Sequence, residues 1–388
     1  VGKLAKKYTA MRYFFLLCCF LLFTKSGISQ DVFFYEQSQI RGFLNPALTG
    51  INGSLSFTVL GKEQYLNTLG DFFSAGISVE QSWPCAKVDV GIFHLYDREG
   101  AGLFTTNHSG LNFVYTLPFD MAGTLNNIRI GTKFQYTYKT IDWDRLVFSD
   151  QIDPKYNLTD AFGIPNPTDF IPPDWNSSSR LTVGLGLIHK VEIGRVDEWS
   201  LTWGGAIENY TNTFEDKGYD SILRLEKDKN RLIDKWSVYL APEFPLTRSY
   251  KDYFGLRPSL VLLSESTLLN LQLGFDINYR RAYGLGVYLS AGHFKDFGRD
   301  TRSFILNSYL RAFTTRNAQL NVGFQYVHNI GGFSEVFGQT MQVTFGYSFR
   351  QDGCGSSSAE TGGCPPVSRR HRLMYENIWF HPFEGINK

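Results

Sequence analysis

From Leu269 to Arg280 apolar and polar side chains alternate without a break. Leu269, Leu271, Leu273, Phe275, Ile277 and Tyr279 share one face, and Asn270, Gln272, Gly274, Asp276, Asn278 and Arg280 share the other. A strand sends successive side chains to opposite faces, so this period of two defines a strand with one greasy and one wet side. The same pattern recurs along most of the chain. A polar face that carries charge, opposite a nearly unbroken apolar face, fits a sheet closed around a wet lumen with lipid outside.

The pattern is clearest late in the chain. Tyr283, Leu285, Val287 and Leu289 alternate with Gly284, Gly286, Tyr288 and Ser290; Leu320, Val322, Phe324 and Tyr326 alternate with Asn321, Gly323 and Gln325; Met341, Val343, Phe345, Tyr347 and Phe349 alternate with Gln342, Thr344, Gly346, Ser348 and Arg350. Earlier, Ile128, Ile130, Thr132, Phe134, Tyr136 and Tyr138 oppose Arg129, Gly131, Lys133, Gln135, Thr137 and Lys139. A soluble enzyme can use one such edge strand; many in succession mark a closed sheet. Strands are predicted near 54–60, 72–81, 86–96, 102–117, 126–140, 178–192, 197–210, 234–243, 255–264, 268–280, 282–292, 302–313, 317–328 and 339–350. About fourteen strands, many near the roughly ten residues needed to cross a bilayer obliquely, predict an all-β, transmembrane antiparallel barrel. The 21 Tyr, 33 Phe and 37 Gly suit such a sheet, and a formal charge of +1 gives no reason to expect a nucleic-acid partner.

Residues 11–29 have the layout of an export signal: Met11 and Arg12, the apolar run Phe14 to Phe23, and small Gly27 and Ser29 before Gln30. The plainer alternative is a single membrane anchor, for which about a dozen apolar residues before Lys25 is short. Cys18 and Cys19 would leave with the signal. Of the remaining cysteines, Cys354 and Cys364 are the candidate disulfide and Cys85 is left over. The expected organisation is a signal peptide at 11–29, a lead-in segment at 30–53, the barrel at 54–350 and a periplasmic tail at 351–388. The tail, Gly/Ser-rich and then basic at Arg369, Arg370 and Arg372, reads either as an unstructured end or as a docking segment.

Two long connections interrupt the strands. Residues 141–177 carry seven aspartates and five prolines, a density that breaks regular structure and predicts an ordered loop or plug-like excursion. Residues 211–233 mix Lys and Arg with Asp and Glu, and 221–229 could form a short helix capped by Ser221. The aspartates lack calcium-loop spacing, and the seven histidines are scattered, with His94 and His189 on the apolar phase. No nucleophile elbow or phosphate loop appears, so neither an enzyme nor a cofactor is expected. The segment Gln37 to Gly50 contains Phe43-Leu44-Asn45-Pro46-Ala47. It reads as an ordinary lead-in turn, or as a segment that enters the lumen or packs beneath the barrel and presents Phe43 and Leu44 to a fixed neighbour.

Gln30-Asp31-Val-Phe-Phe, followed by Phe43-Leu-Asn-Pro-Ala-Leu-Thr-Gly50, resembles the opening of the PorP/SprF family of outer-membrane proteins. Lys139-Thr-Ile-Asp-Trp-Asp-Arg-Leu-Val-Phe-Ser-Asp-Gln-Ile-Asp153 resembles that family's middle block. The resemblance spans roughly 30–350, and the tail departs from it. It implies a barrel similar in architecture to fatty-acid transporter barrels, working in type IX secretion and gliding. Implied partners are an exported adhesin or other substrate with a type B C-terminal signal domain, a periplasmic OmpA-like peptidoglycan-binding protein, and outer-membrane lipid. The expected role is non-enzymatic docking of an exported protein, with Phe43, Leu44, Asn45, Pro46, Trp143, Asp144 and Arg145 as candidate docking residues. The alternative is a channel or transporter for a small solute.

Overall fold

The computed structural model describes residues 41–66, 72–83, 86–100, 104–121, 124–155, 157–171, 176–193, 199–208, 235–247, 254–265, 268–279, 282–294, 299–315, 318–330 and 338–349. The expected signal segment, the 211–233 connection with its short helix, Cys85, the tail and the Cys354–Cys364 pair lie outside them.

A helical turn Arg41–Leu44 and a 3-10 turn Pro46–Leu48 precede fourteen strands. These are β1 (Leu55–Glu63), β2 (Phe72–Trp83), β3 (Val88–Glu99), β4 (Phe104–Met121), β5 (Thr124–Thr140), β6 (Ser177–Ile193) and β7 (Trp199–Glu208). They continue as β8 (Lys235–Pro245), β9 (Phe254–Glu265), β10 (Leu268–Tyr279), β11 (Tyr283–Phe294), β12 (Arg299–Thr315), β13 (Ala318–Ile330) and β14 (Thr340–Phe349). Each strand pairs with its sequence neighbours, and β1 pairs antiparallel with β14 from Leu55↔Phe349 to Glu63↔Met341, which closes the barrel. Closure leaves no edge whose backbone groups would meet hydrocarbon unpaired. The predicted strands all form, and several run longer than their side-chain pattern. β12, expected at 302–313, begins at Arg299 because Arg299 and Asp300 stay paired with Phe294 and His293. Backbone pairing, not side-chain polarity, sets where a strand ends.

The two phases separate as the alternation predicts. Outward-facing Leu273, Leu285 and Leu289 are exposed, while inward-facing Asn270, Gln272 and Asp276 are buried. Rings gather where the strands start and stop: Trp199 stacks on Phe244 at 6.2 Å, and Phe57 meets Phe349 edge-on at 6.2 Å. Such aromatic girdles mark the membrane–water boundary of a barrel. One stretch of wall departs from the regular ladder. Pairing of β8 with β9 runs to Leu240↔Leu260 and resumes at Phe244↔Leu256, and in that register Pro242 stands opposite Pro258. Neither proline has an N–H to donate across the gap.

At the end where β1 starts and β14 stops, the connections include Met121 to Thr124, Tyr279 to Tyr283 and Thr315 to Ala318. At the opposite end lies the long excursion from Thr140 to Ser177. Short turns mark the periplasmic end of such barrels and long loops the outer end.

Candidate functional site

Residues 41–54 lie inside the barrel, entering from the periplasmic end. In the plug formed by Arg41 to Ile51 every residue is buried except the half-buried Leu44, and Ala47 and Thr49 have no exposed surface. Pro46 at the first position of the 3-10 turn needs no hydrogen bond there, and Asn45 caps the turn by accepting from Ala47 N–H at 2.9 Å. The same Asn45 donates from Nδ2 to the wall carbonyls of Gly205 at 3.1 Å and Leu187 at 3.5 Å.

The wall answers with buried side chains of β2, β4, β5 and β8, backed by carboxylates of β3 and β7. Glu80 accepts from Gly50 N–H at 2.8 Å. Asn112 donates to Gly42 O at 3.1 Å and Thr49 Oγ1 at 2.9 Å. Arg129 donates from Nε to Ala47 O at 2.9 Å and from Nη2 to Thr49 O, and pairs with Asp89 at 2.9 Å. Lys133 donates to Phe43 O at 2.9 Å and pairs with Glu208. Ser237 donates to Leu44 O at 3.4 Å. The plug has little regular structure, so its carbonyls need outside donors, and a buried carbonyl left unmade costs about 1–3 kcal/mol.

Phe43 supplies the apolar anchor. Its ring meets Phe93 edge-on at 5.8 Å and packs with Leu60 and Leu95 in one buried cluster. The ammonium groups of Lys235 and Lys133 sit 4.7 and 5.0 Å from its centroid. Ala47, Leu48 and Ile51 form a second cluster with Ile188. Two wall glycines make room. A Cβ on Gly131 would lie 2.4 Å from Ala47 N, and one on Gly186 would lie 2.1 Å from Asn45 Oδ1. Any side chain at either position would push the plug off the wall.

The other candidate residues lie on the outer loop, so the structure does not bring the two sets together. Trp143 is half-buried, 5.8 Å from Phe170, which stacks on Phe148 at 4.4 Å. Asp144 and Arg145 are exposed, and Arg145 pairs with Asp142 at 3.1 Å. The loop carries two small bridges, Asp153↔Asn157 and Thr159↔Pro165. The Asp150 carboxylate accepts from Asp169 N–H at 2.7 Å and from the Thr168 hydroxyl at 2.9 Å. These bonds, the backbone one first, hold its pKa below the ordinary carboxylate value. His94 and His189 face outward as their phase predicts, beside Ser109 and Asn126. Among the described residues no group of three or more His, Cys, Asp or Glu is arranged to hold a metal ion.

Sequence reasoning placed Arg129, Gly131 and Lys133 on the inward phase without assigning them a role, and it did not single out Glu80, Asp89 or Glu208. One signal was present. β3 points Phe93 and Leu95 inward among Asp89, Gly91 and Asp97, where a purely wet lumen has no use for them.

Residues 27–188 match the family model described as type IX secretion system membrane protein PorP/SprF. No curated protein matches the chain. Among solved structures, the CymD monoaromatic hydrocarbon channel aligns at 9% identity and TM-score 0.43, covering 81% of this chain and 94% of that one. Omp33 of Acinetobacter baumannii aligns at 11% identity and TM-score 0.38, covering 77% and 100%. A Pseudomonas aeruginosa FadL homologue aligns at 10% identity and TM-score 0.35, covering 79% and 92%. The barrel assignment stands on the closed strand ladder itself.

Proposed function

Through residues 27–188 the chain belongs to the PorP/SprF family of type IX secretion system membrane proteins, and from that premise we propose that this outer-membrane barrel is a docking platform and not a pore. It holds an exported surface protein at its outer loops and connects to the secretion machinery from the periplasmic end. Its exported partner carries a type B C-terminal signal domain, and its periplasmic partner is an OmpA-like peptidoglycan-binding protein. The family resemblance is what supports both identities.

The observation that carries this reading is the plug. A solute channel needs a continuous wet path, yet here the chain's own segment lies in the lumen, hydrogen-bonded or packed against every strand from β2 to β8. Arg129 and Lys133, each held by a wall carboxylate, donate to the plug carbonyls of Ala47, Thr49 and Phe43, so expelling the plug breaks three charge-assisted hydrogen bonds at once. A hydrogen bond to a charged group contributes about 1.5–3 kcal/mol, and the three together exceed what a passing solute would supply. A plug fastened this way supports anchoring, because force on the outer loops passes into one rigid body that includes the N-terminal segment.

Planar-bilayer recording of the purified full chain, with gentle detergent co-purification alongside, tests the proposal. Silent bilayers and a co-purifying exported protein are expected. Steady single-channel conductance by the unaltered protein, with no protein partner, would overturn it in favour of solute transport.

A further inference from the structure

The outer loop departs from the arrangement usual for a solvated excursion: Asp150, Asp160 and Asn166 turn back onto its own backbone, and several large apolar side chains face water. Asp160 Oδ1 accepts from Phe162 N–H at 2.8 Å and Ile164 N–H at 2.9 Å, which holds that turn. Asn166 donates to the carbonyls of Gln151, Asn157 and Thr159 at 2.9, 3.2 and 3.3 Å, tying three stretches together. Asp150 clamps Thr168 and Asp169. What faces outward is Phe162, 87% exposed, Ile171, 86%, and Ile164, 60%, with Val147 and Ile152 also exposed.

A loop ordered before contact loses little conformational freedom on binding, so apolar groups displayed on it convert desolvation into affinity. The rim is acidic. Across 141–171, Asp142, Asp144, Asp150, Asp153, Asp160 and Asp169 stand against Arg145 and Lys155, six negative charges less two positive, a net of −4. That charge opposes adhesion to an anionic lipid surface and favours a cationic protein one.

We propose that loop 141–171 is a docking surface for an exported protein whose contacting face is an apolar depression rimmed by Lys and Arg. Phe162, Ile164 and Ile171 enter the depression, and Asp144 and Asp169, both exposed, meet the basic rim. This inference rests on the docking function above and specifies its partner's chemistry.

Photo-crosslinking in cells tests it on the full chain. A photoreactive phenylalanine analogue replaces Phe162, or Gln64 on a separate outer connection. The expected result is adducts from position 162 to an exported protein, through a peptide bearing both apolar and Lys/Arg residues. Ile164→Ser with Ile171→Ser should lower their yield about tenfold. Asp144→Lys with Asp169→Lys alters only exposed charge, and should lower it about threefold at low salt and less at high salt. Adducts from position 162 to lipid alone, or to an acidic peptide, would overturn the proposal. Protein adducts from position 64 alone would overturn this surface while leaving the docking function standing; none from either position would overturn both.

Discussion

The plug and the outer loop are both irregular stretches of chain, and they are ordered by opposite means. The plug turns its backbone to its surroundings: the carbonyls of Gly42, Phe43, Leu44, Ala47 and Thr49 are met by side chains of the wall. The outer loop meets its backbone needs from within, through Asp150, Asp160 and Asn166. The wall can bury charge because Arg129 and Lys133 find partners on other strands, Asp89 and Glu208. The loop leaves its charges in water and shows Phe162 and Ile171 there as well. An element ordered by its container is tied to that container, whereas one ordered by itself is free to present a surface to something else.

The contrast breaks most sharply at Arg129. Arg129→Ala removes donors to Ala47 O and Thr49 O and leaves Asp89 buried without its cation, a loss of about 3–5 kcal/mol. The expected outcome is conductance in a planar bilayer where the parent is silent, with the outer loop's protease resistance unchanged. Gly131→Val should come next, because its added carbons collide with the backbone at Ala47. Overpacking of this kind costs about 1–3 kcal/mol. Conductance without a change in far-ultraviolet circular dichroism would show that the plug moved and the wall did not. Asn45→Ala loses the cap of the 3-10 turn together with the bond to Gly205 O, an effect of about 1 kcal/mol, read as a lowered thermal midpoint.

On the outer side, Phe170→Ala removes the ring that joins Trp143 to Phe148. Proteolytic nicking within 141–171 should then rise while the barrel's stability, read from its thermal midpoint, stays within about 0.5 kcal/mol of the parent, since the loop's order is its own. The smallest effect is acidic. The folded pKa of Asp150 is depressed, so the stability it lends the loop is present above its unfolded value of about 3.9 and is lost as pH falls through the lower folded value. Amide exchange at Asp169 should lose protection across that window and keep it in Asp150→Asn, whose neutral side-chain oxygen accepts at any pH. Retained protection of the parent well below the window would show that this carboxylate does not hold the loop.

The strand pattern carried the fold far. Leu269 to Tyr279 and Met341 to Phe349 have one face that can meet lipid, and the residues between them are those found turned inward. The site was legible only in fragments. Asn45-Pro46 announced a turn, and the inward phase of Phe93 and Leu95 was a visible exception. Nothing local, however, links Lys133 to Glu208, which stand 75 residues apart, or reserves Gly186 for the side chain of Asn45. Those relations exist only after the sheet has closed.

Alternation with a period of two acts between neighbouring residues, and through it the sequence alone determined that this chain makes amphipathic strands, enough of them to enclose a lumen. What occupies the lumen was decided by tertiary structure. Buried carbonyls and charges take whichever complementary group the closed barrel brings within about 3 Å, and that distance is a property of the assembled wall, not of any segment in it.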